Sequence, residues 1–226
     1  SIYQPTLEVL GDVRETLTAL ASGLENYKTD EKLFQKFFGA KPDQSPHTDA
    51  SYPFSIDSIV SALQNASPKD AIISLDNGLY KLSIARNFPA LSRYNLLLDN
   101  TLATMGAGLP VAIAAKLVYP DRPVIAICGD GGFMMNSQEL ETATRLKLQL
   151  LVIILNDNGF GMIRWKQKSM GFMDFGLNYK NPNFIKLAES YGVNGYRLEK
   201  HDNAAEKISA LINATGITLL EVPIEY

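Results

Sequence analysis

The sequence has little of several features that would point to a particular class of protein. It contains one cysteine, Cys128, which cannot form a disulfide within the chain. Its net charge is −3 and it has no basic run, which argues against nucleic acid or an anionic membrane surface as the main partner. Its apolar runs fall well short of the roughly 20 residues that span a bilayer, and its N-terminus lacks the pattern of a signal peptide. We therefore expect a cytoplasmic protein with neither a nucleic acid nor a membrane as its partner.

The composition that is present fits one soluble globular domain, or one domain plus a fragment. Hydrophobic residues make up 46% of the 226 residues and charged residues 20%. Residues 1–27 predict a strand, a turn and an amphipathic helix, with Asp12 as the N-cap of the helix. Residues 28–53 are polar and proline-containing, which is typical of a linker or a surface crossing.

From residue 54 onwards, short apolar runs alternate with longer periodic ones, which is typical of a parallel sheet. The predicted strands are residues 71–75, 95–98, 124–128, 150–155 and 218–222. Helices are predicted at residues 55–66, 106–119, 137–146, 183–191 and 204–213, with a further helix through Ile84. Strands this uniformly apolar are buried on both faces, so the sequence predicts a doubly wound, mostly parallel α/β sheet with helices on both faces. Ligands of such sheets bind beyond the carboxyl ends of the strands.

Two polar turns follow neighbouring predicted strands. One is Gly-Asp-Gly-Gly at residues 129–132, and the other is Asn-Asp-Asn-Gly at residues 156–159. Asp130 and Asp157 are 27 positions apart, and one helix and one strand fill the interval, so both carboxylates are expected at the same edge of the sheet. Carboxylate and carbonyl oxygens suit Mg²⁺, and glycines let backbone N–H groups approach a phosphate. Taken alone, each of the two segments is more often an ordinary turn.

Together, at this spacing, the two turns resemble the cofactor-binding motif of thiamine-diphosphate-dependent enzymes, which opens with Gly-Asp-Gly and closes with Asn-Asn or Asn-Asp. Residues 99–110 and the Gly-Met-Ile at residues 161–163 resemble segments of the acetolactate synthase (acetohydroxyacid synthase) large subunits. Residues 75–78 and 84–86 resemble the catabolic, flavin-independent members, and residues 3–6 are similar to the end of that family's central domain. Essentially the whole chain resembles the C-terminal third of a longer subunit.

This resemblance implies thiamine diphosphate and Mg²⁺ as cofactors. It implies that the Asp130 and Asp157 side chains and the Gly159 carbonyl hold Mg²⁺, and that residues 77–80 and Gly131–Gly132 contact the diphosphate mainly through backbone N–H groups. Met105 would lie under the cofactor and Met162 beside its thiazolium, with core packing as the alternative for each. The full set of implied cofactor-binding residues is Asn77, Gly78, Leu79, Tyr80, Ala103, Met105, Gly129, Asp130, Gly131, Gly132, Asp157, Gly159, Phe160, Gly161 and Met162.

The resemblance also implies an activity. The intact enzyme would be a transferase that decarboxylates pyruvate and passes the two-carbon unit to a second 2-keto acid, as in branched-chain amino acid biosynthesis. It would act as a homodimer or homotetramer. In that family a Glu from a preceding domain activates the cofactor, and no Glu here matches it, so the isolated chain is expected to be inactive. On this view residues 1–27 are a remnant of the preceding central domain and residues 54–226 form the diphosphate- and Mg²⁺-binding domain.

One departure from the family pattern concerns the second substrate. After Gly-Met-Val, the biosynthetic enzymes usually have a Trp that shapes the acceptor pocket, and Lys166 stands at that position here. Trp165 lies one residue earlier. The identity of the acceptor therefore stays open, and Trp165 could serve packing alone.

Several alternatives stay open at this point. A Rossmann dehydrogenase has the right fold class, but the third glycine of G-x-G-x-x-G is missing. A serine hydrolase would need a G-x-S-x-G elbow, and the two histidines, His47 and His201, lie in polar segments. Cys128 is predicted to pack in the core rather than act as a nucleophile. Within the resembling superfamily, a decarboxylase, an oxidase, another carboligase or a non-catalytic cofactor-binding subunit are further possibilities.

Overall fold

The computed structural model describes residues 4–28, 30–32 and 52–226. The chain divides into two compact units, residues 1–44 and 45–226, and each is described here by itself. Most of the predicted linker, including Pro42, Pro46 and His47, lies outside the described residues, as do residues 1–3.

The first unit contains the predicted amphipathic helix. Helix α1 runs over Val13–Gly23, and the Asp12 carboxylate caps it by accepting the Arg14 and Glu15 N–H groups at 2.9 and 3.1 Å. The strand predicted before it is wrong for the described residues, because residues 4–10 form no strand and pair with no other described segment. Leu10 is 93% exposed, so its apolar side chain has no sheet face to cover in this unit.

The second unit is built on seven strands whose pairings are all parallel, which confirms the predicted sheet. The strands are β1 Phe54–Ser55, β2 Ile72–Leu75, β3 Leu96–Leu98, β4 Val124–Gly129, β5 Leu150–Asn156, β6 Asn194–Arg197 and β7 Ile217–Glu225. The helices are α2 Ile56–Ala66, α3 Tyr80–Asn87, α4 Gly108–Val118, α5 Asp130–Met135, α6 Glu139–Arg145, α7 Gly161–Ser169, α8 Phe184–Ser190 and α9 Ala204–Ile212. The strand order is β1-β7-β5-β4-β2-β3, with β6 also pairing with β7. The helices are short, and none in the described parts of the chain is long and apolar enough to cross a membrane.

Alternating side chains of the central strands build a core on each face of this sheet. Ile125 and Ile127 of β4 face a cluster completed by α2, α3 and α9. Ala126 and Cys128 face a second cluster completed by α4, α5, α6 and α8. Helices therefore cover both faces, as the uniformly apolar strands predict. Cys128 is 1% exposed and burial raises the pKa of its thiol, which confirms its predicted place in the core.

Four elements were not predicted, and each lacks the pattern that would indicate it. The short strands β1 and β6 carry no apolar run, and α7 is too polar to show an apolar stripe. Helix α5 begins at Asp130 itself, within a segment whose two glycines have low helix propensity. Helix α4 begins at Gly108 rather than at residue 106, because Gly106 has a φ of +87° and cannot belong to a right-handed helix.

Candidate functional site

The carboxyl ends of β2, β4 and β5 open onto one cavity of about 400 Å³. All fifteen cofactor-binding residues predicted from the sequence line this cavity, although they come from four separate stretches of the chain. Six further residues complete the lining: Lys81, Leu82, Asn100, Leu155, Ile163 and Tyr226. The structure thus brings the predicted residues together, while the role of each stays a prediction.

Asp130 lies directly after β4 as the first residue of α5 and is 2% exposed. Its Oδ1 accepts the Gly131 N–H at 2.8 Å and the Tyr179 hydroxyl at 2.9 Å. Its Oδ2 accepts from Asn181 Nδ2 at 2.6 Å. These three donors hold the buried Asp130 side chain in one orientation at the cavity wall.

Asp157 follows β5 and differs from Asp130 in what it contacts. Its Oδ2 atom is buried, and no donor among the described residues bonds to it. Burial, together with the neighbouring Asp130 carboxylate, raises the pKa of Asp157 to about 6. A buried carboxylate oxygen without a donor costs free energy, and a cation bound between the two aspartates would remove that cost.

The oxygen donors at this point suit a hard divalent cation. Besides the two carboxylates, Gly159 lines the cavity, and its carbonyl oxygen lies 3.2 Å from the Tyr179 hydroxyl that contacts Asp130. The described residues contain no group of three or more His, Cys, Asp or Glu that could hold a metal ion. A cation here would therefore depend on two carboxylates, a backbone carbonyl and oxygens from a ligand or water.

Asp76 is a residue of the site that sequence reasoning missed. It follows β2, is fully buried, and accepts the Gly106 N–H through both carboxylate oxygens at 2.9 and 3.1 Å. Burial raises the pKa of Asp76, and the N–H groups that it accepts oppose that rise. By holding Gly106, Asp76 fixes the turn that presents Met105 to the cavity. The available signal was its position as the first polar residue after an apolar strand.

Lys81 is a second residue that sequence reasoning missed. Its Nζ donates to Asn77 Oδ1 at 2.5 Å and to the Asp99 carbonyl at 2.7 Å, and it is the one cationic side chain among the residues that line the cavity. Asn77 in turn donates from Nδ2 to the Thr104 carbonyl at 2.8 Å. These contacts join the segments after β2 and β3 and place a positive charge beside a cavity that also holds two aspartates.

Not all of the backbone N–H groups predicted to contact a diphosphate are free. The Asn77 N–H donates to Asp76 Oδ1 at 2.8 Å, and the Gly131 N–H donates to Asp130 Oδ1. Tyr80 contributes more than its backbone, because its buried hydroxyl accepts the Gly129 N–H at 2.7 Å. The side chain of Tyr80 therefore holds α3 against the end of β4.

This contact yields a prediction about stability. Replacing Tyr80 by Phe leaves the partly buried Gly129 N–H without its partner, which we expect to lower the free energy of unfolding by about 1–2 kcal/mol. Urea unfolding followed by circular dichroism measures the change. The control is Tyr196→Phe on β6, where the ring is 37% exposed and we expect a change within about 0.5 kcal/mol. Equal stabilities for the two variants would contradict the role given to Tyr80.

The cavity wall formed by α7 depends on the segment that follows that helix. Gly159 pairs with Asn178 in an antiparallel bridge, and the rings of Phe160 and Tyr179 lie 4.8 Å apart. This pairing places Met162, in the first turn of α7, at the cavity. Trp165 of α7 is 51% exposed, so packing within the described residues does not account for it.

Comparison with known proteins identifies the family. Residues 76–222 match the thiamine pyrophosphate enzyme family, C-terminal TPP binding domain. The chain is 32% identical to an acetolactate synthase of Bacillus subtilis, over 99% of this chain and 40% of that protein. It is 30% identical to a catabolic acetolactate synthase of Raoultella terrigena, over 99% of this chain and 41% of that protein. Among solved structures, a Rhodococcus jostii thiamine diphosphate-dependent 4-hydroxybenzoylformate decarboxylase is similar, with 25% identity and a TM-score of 0.70 over 76% of this chain and 33% of that one.

The chain spans about two fifths of the length of the two curated relatives named above. The matched family segment runs from Asp76 at the end of β2 to Val222 of β7, and it contains both aspartate turns and most of the cavity lining. These matches leave no place for the dehydrogenase and hydrolase alternatives. The chain belongs to the thiamine pyrophosphate enzyme family and contains its C-terminal TPP binding domain, and it is similar to acetolactate synthases over nearly its whole length.

Proposed function

We propose that this chain is the cofactor-binding part of a Mg²⁺-dependent acetolactate synthase-like transferase. The observation that carries the proposal is the meeting of the Asp130 and Asp157 turns at one cavity, where the buried Asp157 Oδ2 has no partner among the described residues. Burial and the neighbouring Asp130 raise the pKa of Asp157, which means that they destabilise its ionised form. A cation bound at this site would stabilise that form.

In this proposal Asp130, Asp157 and the Gly159 carbonyl hold Mg²⁺ against the diphosphate of thiamine diphosphate. Gly131 lets Tyr179 and Phe160 pack closely against the start of α5, since a Cβ there would lie 2.6 Å from the Tyr179 hydroxyl and 2.8 Å from the Phe160 ring. When bound, the cofactor would supply a nucleophilic carbon and a cationic thiazolium ring that takes up the electron pair left by decarboxylation.

The apolar residues that line the cavity have a different proposed role from that of the two aspartates. Leu79, Ala103, Met105 and Met162 bring apolar surface to the same cavity as the two aspartates. We propose that Met105 and Met162 pack against the rings of the cofactor and keep water from the reacting atoms.

The substrates proposed are pyruvate as donor and a second 2-keto acid as acceptor, with acetolactate as the product when both are pyruvate. The support is the similarity to proteins described as acetolactate synthases across nearly all of this chain. The proposal includes a cytoplasmic enzyme that serves branched-chain amino acid biosynthesis. A decarboxylase is the second candidate, which the likeness to the Rhodococcus decarboxylase favours.

A chimera tests the proposed reaction. Replacing the matching C-terminal portion of the Bacillus subtilis acetolactate synthase by this chain should give an enzyme that forms acetolactate and CO₂ from pyruvate. The same chimera carrying Asp130→Ala should form neither. Acetaldehyde and CO₂ in place of acetolactate would favour the decarboxylase, and a chimera that binds the cofactor but consumes no pyruvate would favour a non-catalytic binding subunit.

We also propose that the active protein is a homodimer or homotetramer of a longer subunit. Support comes from apolar side chains that are exposed beside the cavity, on α7 and in the segment that follows it. Trp165 is 51% exposed, Phe172 61%, Met173 86% and Phe175 84%. The activating Glu would come from a region outside this chain, so the chain alone should bind cofactor without turning over pyruvate.

A further inference from the structure

We propose that Asn181 is a positioning residue for the Asp130 carboxylate. It lies at the inner end of a series of hydrogen-bonded side chains that begins at Arg197. The inference rests on the proposed function, in which Asp130 binds the divalent cation. Asn181 comes from the segment between α7 and α8, and it does not line the cavity itself.

The hydrogen bond between Asn181 and Asp130 is short, and only Asn181 can be its donor. Asn181 Nδ2 lies 2.6 Å from Asp130 Oδ2 and 2.9 Å from Asn156 Oδ1. An ionised carboxylate only accepts hydrogen bonds, so the amide must turn its NH₂ group towards Asp130. The second N–H of that group is then available to Asn156.

The contacts between Arg197, Glu221 and Asn156 require the same orientation of the Asn181 amide. Asn156 Nδ2 donates to Glu221 Oε1 at 2.7 Å, which leaves Asn156 Oδ1 to accept from Asn181. Glu221 of β7 is 4% exposed, and Arg197 Nη1 of β6 lies 2.8 Å from the same Oε1 atom. Carboxylates at both ends therefore fix the orientation of both amides between them.

The hydrogen-bonded series of side chains ends on one oxygen of Asp130, and the other neighbours of Asp130 contact its other oxygen. Oδ1 accepts from Gly131 and Tyr179, whereas Oδ2 accepts from Asn181. A carboxylate that gives one oxygen to a cation keeps its orientation when the other oxygen is hydrogen-bonded. Removal of such a partner typically weakens metal binding by about 10- to 100-fold.

The test is the affinity of this chain for Mn²⁺ in the presence of thiamine diphosphate, measured by electron paramagnetic resonance of the free and bound ion. We expect Asn181→Ala to weaken Mn²⁺ binding by about 10- to 100-fold. Asn181→Asp keeps the shape of the side chain but places an acceptor against the carboxylate, so we expect a loss at least as large. The matched control is Asn213→Ala, since Asn213 is exposed and lies just before β7, at the opposite end of that strand from the cavity.

The outcomes separate this inference from the proposed function. Weaker binding in both Asn181 variants, with Asn213→Ala within about twofold of the parent and circular dichroism unchanged, supports the positioning role. Parent-like affinity in either folded Asn181 variant overturns that role and leaves the proposed function standing. A parent chain that binds no Mn²⁺ with thiamine diphosphate overturns both.

Discussion

Replacing Asp130 by Ala should abolish Mg²⁺-dependent binding of thiamine diphosphate while leaving the fold largely intact. The carboxylate is one of two at the cavity, so its loss removes a cation ligand and half of the local negative charge. We expect the dissociation constant for thiamine diphosphate in Mg²⁺, measured by isothermal titration calorimetry, to rise by about 100-fold or more.

The control for this variant is Asp70→Ala. Asp70 is exposed and lies just before β2, at the opposite end of that strand from the cavity. We expect its affinity for the cofactor to equal that of the parent. If Asp130→Ala bound as tightly as the parent in Mg²⁺, the assignment of Asp130 as a metal ligand would be wrong.

Asp157→Asn should raise the stability of the metal-free chain, because the amide has the shape of the carboxylate but carries no charge. The pKa of Asp157 is raised from 3.8 to about 6, so the folded chain holds this proton more tightly than the unfolded chain does. The stability that the proton contributes is present below pH 4 and is lost as the pH rises through about 6. Removing the charge should therefore stabilise the metal-free chain at pH 7.5, by about 1–2 kcal/mol once solvent screening is allowed for.

Unfolding of parent and variant in urea at pH 7.5 and at pH 4, with a chelator present, measures this effect. The difference should be largest at pH 7.5 and vanish near pH 4, because Asp157 is then neutral in the parent as well. Asp157→Ala also removes the ligand oxygen, so adding Mg²⁺ and thiamine diphosphate should no longer raise its stability. An Asp157→Asn variant that is less stable than the parent at pH 7.5 would show that the Asp157 charge is better satisfied than the structure indicates.

The sheet could be predicted from the sequence because its central strands are short and almost wholly apolar. Residues 150–155, for example, are predicted as a strand from their apolar run alone, and β5 covers them with one residue more. The strand predicted before α1 failed because an apolar run forms a strand only where another strand pairs with it. Helices α5 and α7 carry glycines or polar residues, so their form depends on tertiary contacts rather than on local pattern.

The cavity lining could be predicted because it follows strand ends in a fixed order along the chain. Of the residues that were missed, Lys81 contacts Asn77 four positions away, whereas two others act through contacts distant in sequence. Asp76 reaches Gly106, and Asn181 reaches Asp130 51 positions earlier. Such contacts depend on how the loops fold back over the sheet. Short-range spacing in the sequence carries no information about them.

The most direct test of the account is the thermal unfolding of this chain with thiamine diphosphate, with Mg²⁺, with both, and with NAD as a control. A ligand that binds only the folded chain raises its stability, by about 2.7 kcal/mol when its concentration is 100 times the dissociation constant. We predict an increase in Tm of about 5–10 °C that requires thiamine diphosphate and Mg²⁺ together. An unchanged Tm with both ligands, or an increase with NAD alone, would contradict the assignment of this cavity as a thiamine diphosphate site.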